Sequence, residues 1–158
     1  MVSIPAVIKK LIDEQNLIVV GSVGKKKICN VSPRIFIQVT KDSIYWLDFF
    51  KHKSYRNFKE NPFVAVSVFD KENLIGYQLK GDVSFVSNKK EKSEIKDGII
   101  RRTSELYKSA YVKNLKEKKD PEVIKFNPKI IYSLNPEEFS DLSVASEADI
   151  TQLFSRKK

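Results

Sequence analysis

Between Ser43 and Phe69 the chain admits few architectures. Ser43-Ile-Tyr-Trp-Leu-Asp-Phe-Phe50 is an aromatic, β-favouring run, followed at once by Lys51-His52-Lys53-Ser54, by Tyr55-Arg56-Asn57-Phe58 and by a stop at Asn61-Pro62. A second apolar run, Phe63 to Phe69, comes next. The stretch from Ser54 to Glu60 has room for two helical turns only, between two strands. A strand that opens into two lysines and a serine where a helix begins gathers fixed cations, a hydroxyl and unpaired backbone N–H groups. Those are the parts of an anion site, and they point to a cofactor that carries a phosphate.

The flanking sequence supplies more strands. Leu17 to Val23 reads as a strand, Gly24-Lys25-Lys26-Lys27 as its turn, and Ile28 to Val39 as a second strand interrupted at Pro33. Proline donates no ladder hydrogen bond, so that strand is expected at an edge or at a bulge. After Phe63 to Phe69, the turn Asp70-Lys-Glu-Asn73 leads into Leu74 to Val86, where Gly81 predicts a bulge or bend. Lys129 to Leu134, bracketed by Asn127-Pro128 and Asn135-Pro136, reads as the last strand.

Helices are expected in three places. Ser3 is positioned to cap a helix with Pro5 in its first turn, and Ile4, Val7, Ile8, Leu11 and Ile12 form one apolar stripe. From Lys89 to about Lys119 the apolar period becomes helical, with Gly98 as a weak point. Ser146-Glu-Ala-Asp149 resembles a capping box opening a terminal helix with Ile150, Leu153 and Phe154. Six strands joined mostly by hairpins, with helices at the start, in one insertion and at the end, predict an α+β fold around an antiparallel barrel.

Composition sets the outer bounds. At 158 residues and 41% hydrophobic content the chain can bury the core of about one domain. No apolar run approaches the ~20 residues of a membrane span and the N-terminus lacks a signal-peptide pattern, so a cytoplasmic protein without a membrane partner is expected. One cysteine, Cys29, and one histidine, His52, are too few for a Cys/His metal site. The net charge of +9 is compatible with nucleic acid, with an anionic cofactor or with a lysine-rich surface. Outside the central stretch the basic residues are interleaved with Glu and Asp, which is the pattern of a solvated surface.

Several short motifs, weak singly but ordered and spaced alike, resemble the pyridoxamine 5′-phosphate oxidase-like FMN-binding split barrels, in particular the small FMN-binding proteins of that group. They are Cys29-Asn30-Val31-Ser32-Pro33, then His52-Lys53-Ser54-x-x-Asn57 with Asn61-Pro62, Gly76-Tyr-Gln-Leu-Lys-Gly81, and the closing Lys129 to Pro136. The resemblance covers residues 4 to 136. It implies a six-stranded antiparallel split β-barrel with flanking helices over residues 1–136, with residues 137–158 as a C-terminal helical extension of the same domain. It implies FMN as cofactor, with Asn30, Val31 and Ser32 beside the isoalloxazine and ribityl chain. Leu47, Asp48, Phe49 and Phe50 would face the ring's polar edge, and Lys53 with Ser54 would hold the phosphate. It further implies a homodimer with the flavin at the subunit interface, and an FMN-dependent oxidoreductase passing electrons or hydride from a reduced donor to a small-molecule or protein partner. After Leu134 there is no counterpart of the Arg- and Trp-bearing segment that binds pyridoxamine phosphate, so oxidation of that substrate is not expected.

No Ser-His-Asp, Cys-His or paired-carboxylate constellation emerges, which fits a protein whose cofactor supplies the chemistry. Three rival readings share the site. One is a non-enzymatic FMN carrier or electron-transfer protein. Another is a basic barrel for nucleic acid, with Lys51, Lys53, Arg56 and Lys59 on phosphates and Tyr45, Trp46 or Phe49 stacking bases. The third keeps the barrel and replaces FMN by the deazaflavin F420 or by haem. Cys29 is expected to be a small buried residue, and one of Tyr45 and Trp46 to face the core.

Overall fold

A computed structural model describes residues 2–118, 120–138 and 143–146. The elements in chain order are α1 (Ala6–Gln15), β1 (Ile18–Val23), β2 (Cys29–Arg34), β3 (Ile37–Val39), β4 (Ile44–Asp48), α2 (Lys53–Glu60), β5 (Phe63–Asp70), β6 (Ile75–Phe85), α3 (Lys89–Leu106), α4 (Ala110–Lys118), β7 (Glu122–Ser133) and β8 (Ala145–Ser146). The strands form one antiparallel sheet in the order β2-β1-β5-β6-β7-β4-β3, with β8 on β7. β2 and β3 lie at opposite ends of that order, yet only Ile35 and Phe36 separate them in the chain. A link so short forces the sheet to curl until its two ends nearly meet, and the result is an α+β split barrel. No described helix is long and apolar enough to cross a membrane.

The expected strand over 28–39 breaks at Ile35–Phe36 and not at Pro33. Pro33 sits on the edge strand β2, opposite Val19, where a missing N–H is tolerated. The final strand starts at Glu122, seven residues before the expected Lys129. Pro128 is thus inside a central strand, at the point where the β6–β7 register shifts beside Gly81. A Cβ on Gly81 would run into the Asn127 carbonyl, so glycine and proline together make the bulge. The twelve-residue β7 offers one edge to β6 and the other first to β4 and then to the two-residue β8. These changes turn the expected six strands into eight without altering the architecture.

The helices form where their apolar periods predict them, but Val7 of the expected α1 stripe is 56% exposed, leaving Ile8, Leu11 and Ile12 as the buried face, and two further expectations are corrected. Ser3 does not cap α1: its Oγ and the Ile4 N–H both reach Lys41 O, and Pro5 occupies the cap position. Gly98 does not break α3, which runs unbroken to Leu106 before Tyr107–Ser109 separates it from α4. Ser146 ends β8, and the rest of the expected terminal helix, including Ile150, Leu153 and Phe154, lies outside the described residues.

Two apolar clusters flank β4. Inside the barrel, Ile44 and Trp46 pack with Ile8, Val20, Leu79 and Phe126. On the other side, Tyr45, Leu47 and Phe49 pack with Val123, Ile99, Val112 and Leu115 beneath α3 and α4. Hence β4 is buried on both faces, and Tyr45 and Trp46 are both core residues, one in each cluster.

Candidate functional site

Strand alternation puts Asn30, Ser32 and Arg34 on one face of β2 and the exposed Cys29, Val31 and Pro33 on the other. α2 lies against the first face. Asn30 Nδ2 donates to Ser54 Oγ at 2.8 Å, and the Ser32 and Ser54 hydroxyls are also 2.8 Å apart. If Ser32 is the donor of the second bond, Ser54 accepts both and keeps its own proton for a ligand. Further along the helix, Asn57 Nδ2 donates to Ser22 Oγ and the Lys25 N–H to Glu60 Oε2. A Cβ on Gly24 would crowd the side-chain ends of Glu60 and Asn57. The helix is thereby fastened along its length to the β1–β2 hairpin.

Two cavities open beside this junction, of about 570 and 400 Å³, and Asn30, Lys53 and Arg56 line both. Such volumes fall in the range of about 300–1,000 Å³ that suits a drug-sized ligand or a nucleotide. The neighbouring cations are unequal. Lys51 Nζ pairs with Glu122 at 3.6 Å, and Lys59 Nζ sits 4.7 Å from the Tyr55 ring centroid. Among the described residues Lys53 and Arg56 have no carboxylate partner, and no side chain caps α2. Two uncommitted cations, the Ser54 hydroxyl and the open first turn of a helix are a donor set for a phosphate.

At the other end of the 400 Å³ cavity lie Arg34, Asp48, Phe50 and His52. Arg34 Nη2 is 3.6 Å from Asp48 Oδ2, Arg34 Nη1 donates to Pro33 O, and Asp48 Oδ1 accepts from the Phe50 N–H. Arg34 Nε and Asp48 Oδ2 are buried without a hydrogen-bond partner. Burial pushes the Asp48 carboxyl up and the Arg34 guanidinium down from their ordinary values, while the attraction between them opposes both shifts. The His52 ring stacks on Phe50, 5.7 Å between centroids and 3° from parallel.

Of the residues expected at the site, Asn30, Ser32, Asp48, Phe50, Lys53 and Ser54 line one cavity. Val31 points to the opposite face of β2 and is 68% exposed, while Leu47 and Phe49 are buried under α4 and line a third, smaller cavity. Cys29 is exposed, contrary to expectation, because it falls on the outer face of the edge strand. Sequence reasoning undervalued Arg56 as a cofactor contact; its spacing of three from Lys53 in a helix was the available signal. Arg34 reaches the same cavity through its alternation with Asn30 and Ser32 along β2.

An open antiparallel barrel whose edge strand and short helix flank cavities lined by Lys53 and Arg56 defines the class. The sequence profile of the pyridoxamine 5′-phosphate oxidase family matches residues 4–135, and the chain belongs to that family. No curated protein shows significant similarity to the sequence. Among solved structures, HupZ of Group A Streptococcus superposes with a TM-score of 0.62 at 17% identity, covering 84% of this chain and 95% of that one. An FMN-binding protein of Syntrophomonas wolfei gives 0.62 at 17% identity, over 80% and 82% of the two chains. The heme-storage protein HutZ of Vibrio cholerae gives 0.61 at 17% identity, over 79% and 90%. At such identities the likeness is one of fold.

Proposed function

We propose that the protein binds FMN and acts as an oxidoreductase, with the phosphate held by Lys53, Ser54 and Arg56. The observation that carries this reading is the pairing of two uncommitted cations with a buried hydroxyl at the mouth of α2, beside cavities large enough for a nucleotide. The family adds that such a cofactor is in keeping with the fold. Asn30 and Ser32 would line the ribityl and ring path from β2, and Asp48 and Phe50 at the end of β4 would close the ring end. Bound FMN would supply reversible electron or hydride transfer; the chain's own residues bind it and fix its orientation. The nucleic-acid reading loses its stacking rings, since Tyr45, Trp46 and Phe49 are all buried.

The test is a titration with FMN and riboflavin, followed by visible absorption. FMN should bind more tightly, by roughly ten- to a hundredfold for each charge-assisted phosphate hydrogen bond at about 1.5–3 kcal/mol. Equal affinities would remove the phosphate assignment. A Soret band in the purified protein would hand the cavity to haem, with His52, the chain's one histidine, as the candidate ligand.

A second copy of the chain is the proposed partner. The outer face of β2, β1 and β5 exposes Val19 and Val31 around an apolar cavity of about 290 Å³ that also takes in Gly21, Phe63 and Ala65. A contiguous apolar face of this kind marks an interaction surface, and it backs directly onto the strand that carries Asn30 and Ser32. Sedimentation should therefore show a dimer at micromolar concentration, and Val31→Lys should shift it to monomer. A wild-type protein that sediments as a monomer with FMN bound contradicts the shared-interface arrangement.

A further inference from the structure

FMN would fill only part of the space beside α2. The 400 Å³ cavity runs from Asp48 and Phe50 to Lys53, Ser54 and Arg56, so FMN laid along it with its phosphate at the mouth of the helix ends there. The 570 Å³ cavity shares Lys53 and Arg56 and continues past them as a groove between α2 and the β1–β2 hairpin. Lys53, Arg56, Asn57 and Glu60 wall it from the helix, at the i, i+3, i+4, i+7 spacing of one helical face. At about 1.5 Å per residue that wall is roughly 10 Å long. Lys26 and Ile28 line the groove from the hairpin. The hairpin is held there, because the Lys27 N–H closes the turn on Gly24 O at 2.9 Å and the Lys25 N–H donates to Glu60 Oε2 at 2.8 Å. All six side chains are exposed or half-buried, within reach of a ligand. Lys26 has no carboxylate partner among the described residues, and Ile28 is 71% exposed. Past the point where FMN ends, the groove therefore offers an uncommitted cation, a carboxylate and a bare apolar side chain.

We propose that this groove receives the adenylate half of a flavin dinucleotide, FAD, whose second phosphate meets Lys26 and Arg56, whose ribose hydroxyls donate to Glu60 and whose adenine lies against Ile28. The inference rests on the reading that a flavin phosphate sits at the mouth of α2, and deepens it by naming the dinucleotide as the cofactor. Lys53 and Ser54 keep the first phosphate. Arg56 lines both cavities and so stands between the two phosphates. A carboxylate only accepts hydrogen bonds, which suits the paired hydroxyls of a ribose, and a second phosphate suits a lysine that the first does not engage. Other extensions of a flavin phosphate match the groove less well. An oligocarboxylate tail would set negative charge against Glu60, and an apolar tail would lie against Lys26 and Arg56 with nothing to offer either.

The experiment titrates the full chain with FMN and with FAD by equilibrium dialysis read by visible absorption, and repeats both titrations on Lys26→Ala and Lys26→Glu. FAD should bind the wild type about tenfold or more tightly than FMN, as expected for at least one further charge-assisted hydrogen bond. Lys26→Ala should weaken FAD by about tenfold and Lys26→Glu by more, while FMN affinity in Lys26→Ala stays at the wild-type value. Lys26 is an exposed turn residue, and circular dichroism checks that both variants keep the fold. FAD binding no tighter than FMN overturns the proposal and leaves the FMN reading standing. An FMN affinity that falls in Lys26→Ala as far as that of FAD also overturns it, since the lysine would then grip the first phosphate. FAD affinity indifferent to both substitutions places the adenylate outside this groove and overturns it too. If neither flavin binds, the cofactor reading falls and this inference falls with it.

Discussion

Asp48→Leu is expected to lower folding stability by about 3–5 kcal/mol, whereas Asp48→Leu combined with Arg34→Met is expected to cost far less or nothing. The single change leaves a guanidinium whose side chain is 15% exposed without its carboxylate, and an uncompensated buried charge is among the larger single-site penalties. The double change removes both charges and fills the space with side chains of similar volume. Urea midpoints of the wild type, the two single variants and the double variant measure the coupling; penalties that simply add would show that the two side chains do not act as a pair. The pH dependence has a definite sign. The folded protein holds the Asp48 proton more tightly than the unfolded chain, so the carboxyl's contribution to stability is full below the ordinary aspartate value and is lost as pH rises through the raised one. Arg34, His52 and Glu122 are the charged groups that act on it. Asp120 and Glu122 work the opposite way: their lysine partners, Lys96 and Lys92, hold them below ordinary values, and their contribution is lost as pH falls. The difference in stability between wild type and double variant should therefore move against the wild type with rising pH across the Asp48 window.

The barrel was legible because its strands are short β-favouring apolar runs and its turns carry Gly, Asp and Asn where hairpins require them. Proline misled the reading at Pro128, since a single-strand view treats it as a boundary. Only the pairing with β6 shows that a bulge absorbs it opposite Gly81. The division of 28–39 was hidden for a related reason, because Ile35 and Phe36 are as β-favouring as their neighbours and what ends β2 is the closure of the curled sheet. At the site, the basic stretch after β4 could be read directly from residue types. What could not be read was which cations are already committed: Lys51 belongs to Glu122, a residue 71 positions away. The same limit applies to Leu47 and Phe49, whose burial depends on α3 and α4 covering β4, a packing arrangement that no local pattern encodes.

Lys53→Ala and Ser54→Ala should separate binding from folding. Both lie in the first turn of α2, but Lys53 is exposed and has no carboxylate partner among the described residues, whereas Ser54 is 6% exposed and hydrogen-bonded to both Asn30 and Ser32. Lys53→Ala removes the proposed charge-assisted contact to the phosphate and no ion pair of the fold, so FMN affinity should fall by roughly tenfold, the lower end for such a bond at an exposed position. Riboflavin affinity and the urea midpoint should stay at wild-type values. Ser54→Ala deprives Asn30 Nδ2 of its acceptor and loosens the contact between α2 and β2, so it should cost about 1–3 kcal/mol of stability as well as FMN affinity. Its effect should extend to riboflavin, because β2 carries Asn30 and Ser32 along the proposed ring and ribityl path. Riboflavin binding that falls in Lys53→Ala as much as FMN binding does would show that this lysine positions the helix and does not contact the phosphate. Wild-type stability in Ser54→Ala would show that the Asn30–Ser54–Ser32 cluster is held by the ligand and does not itself hold the helix.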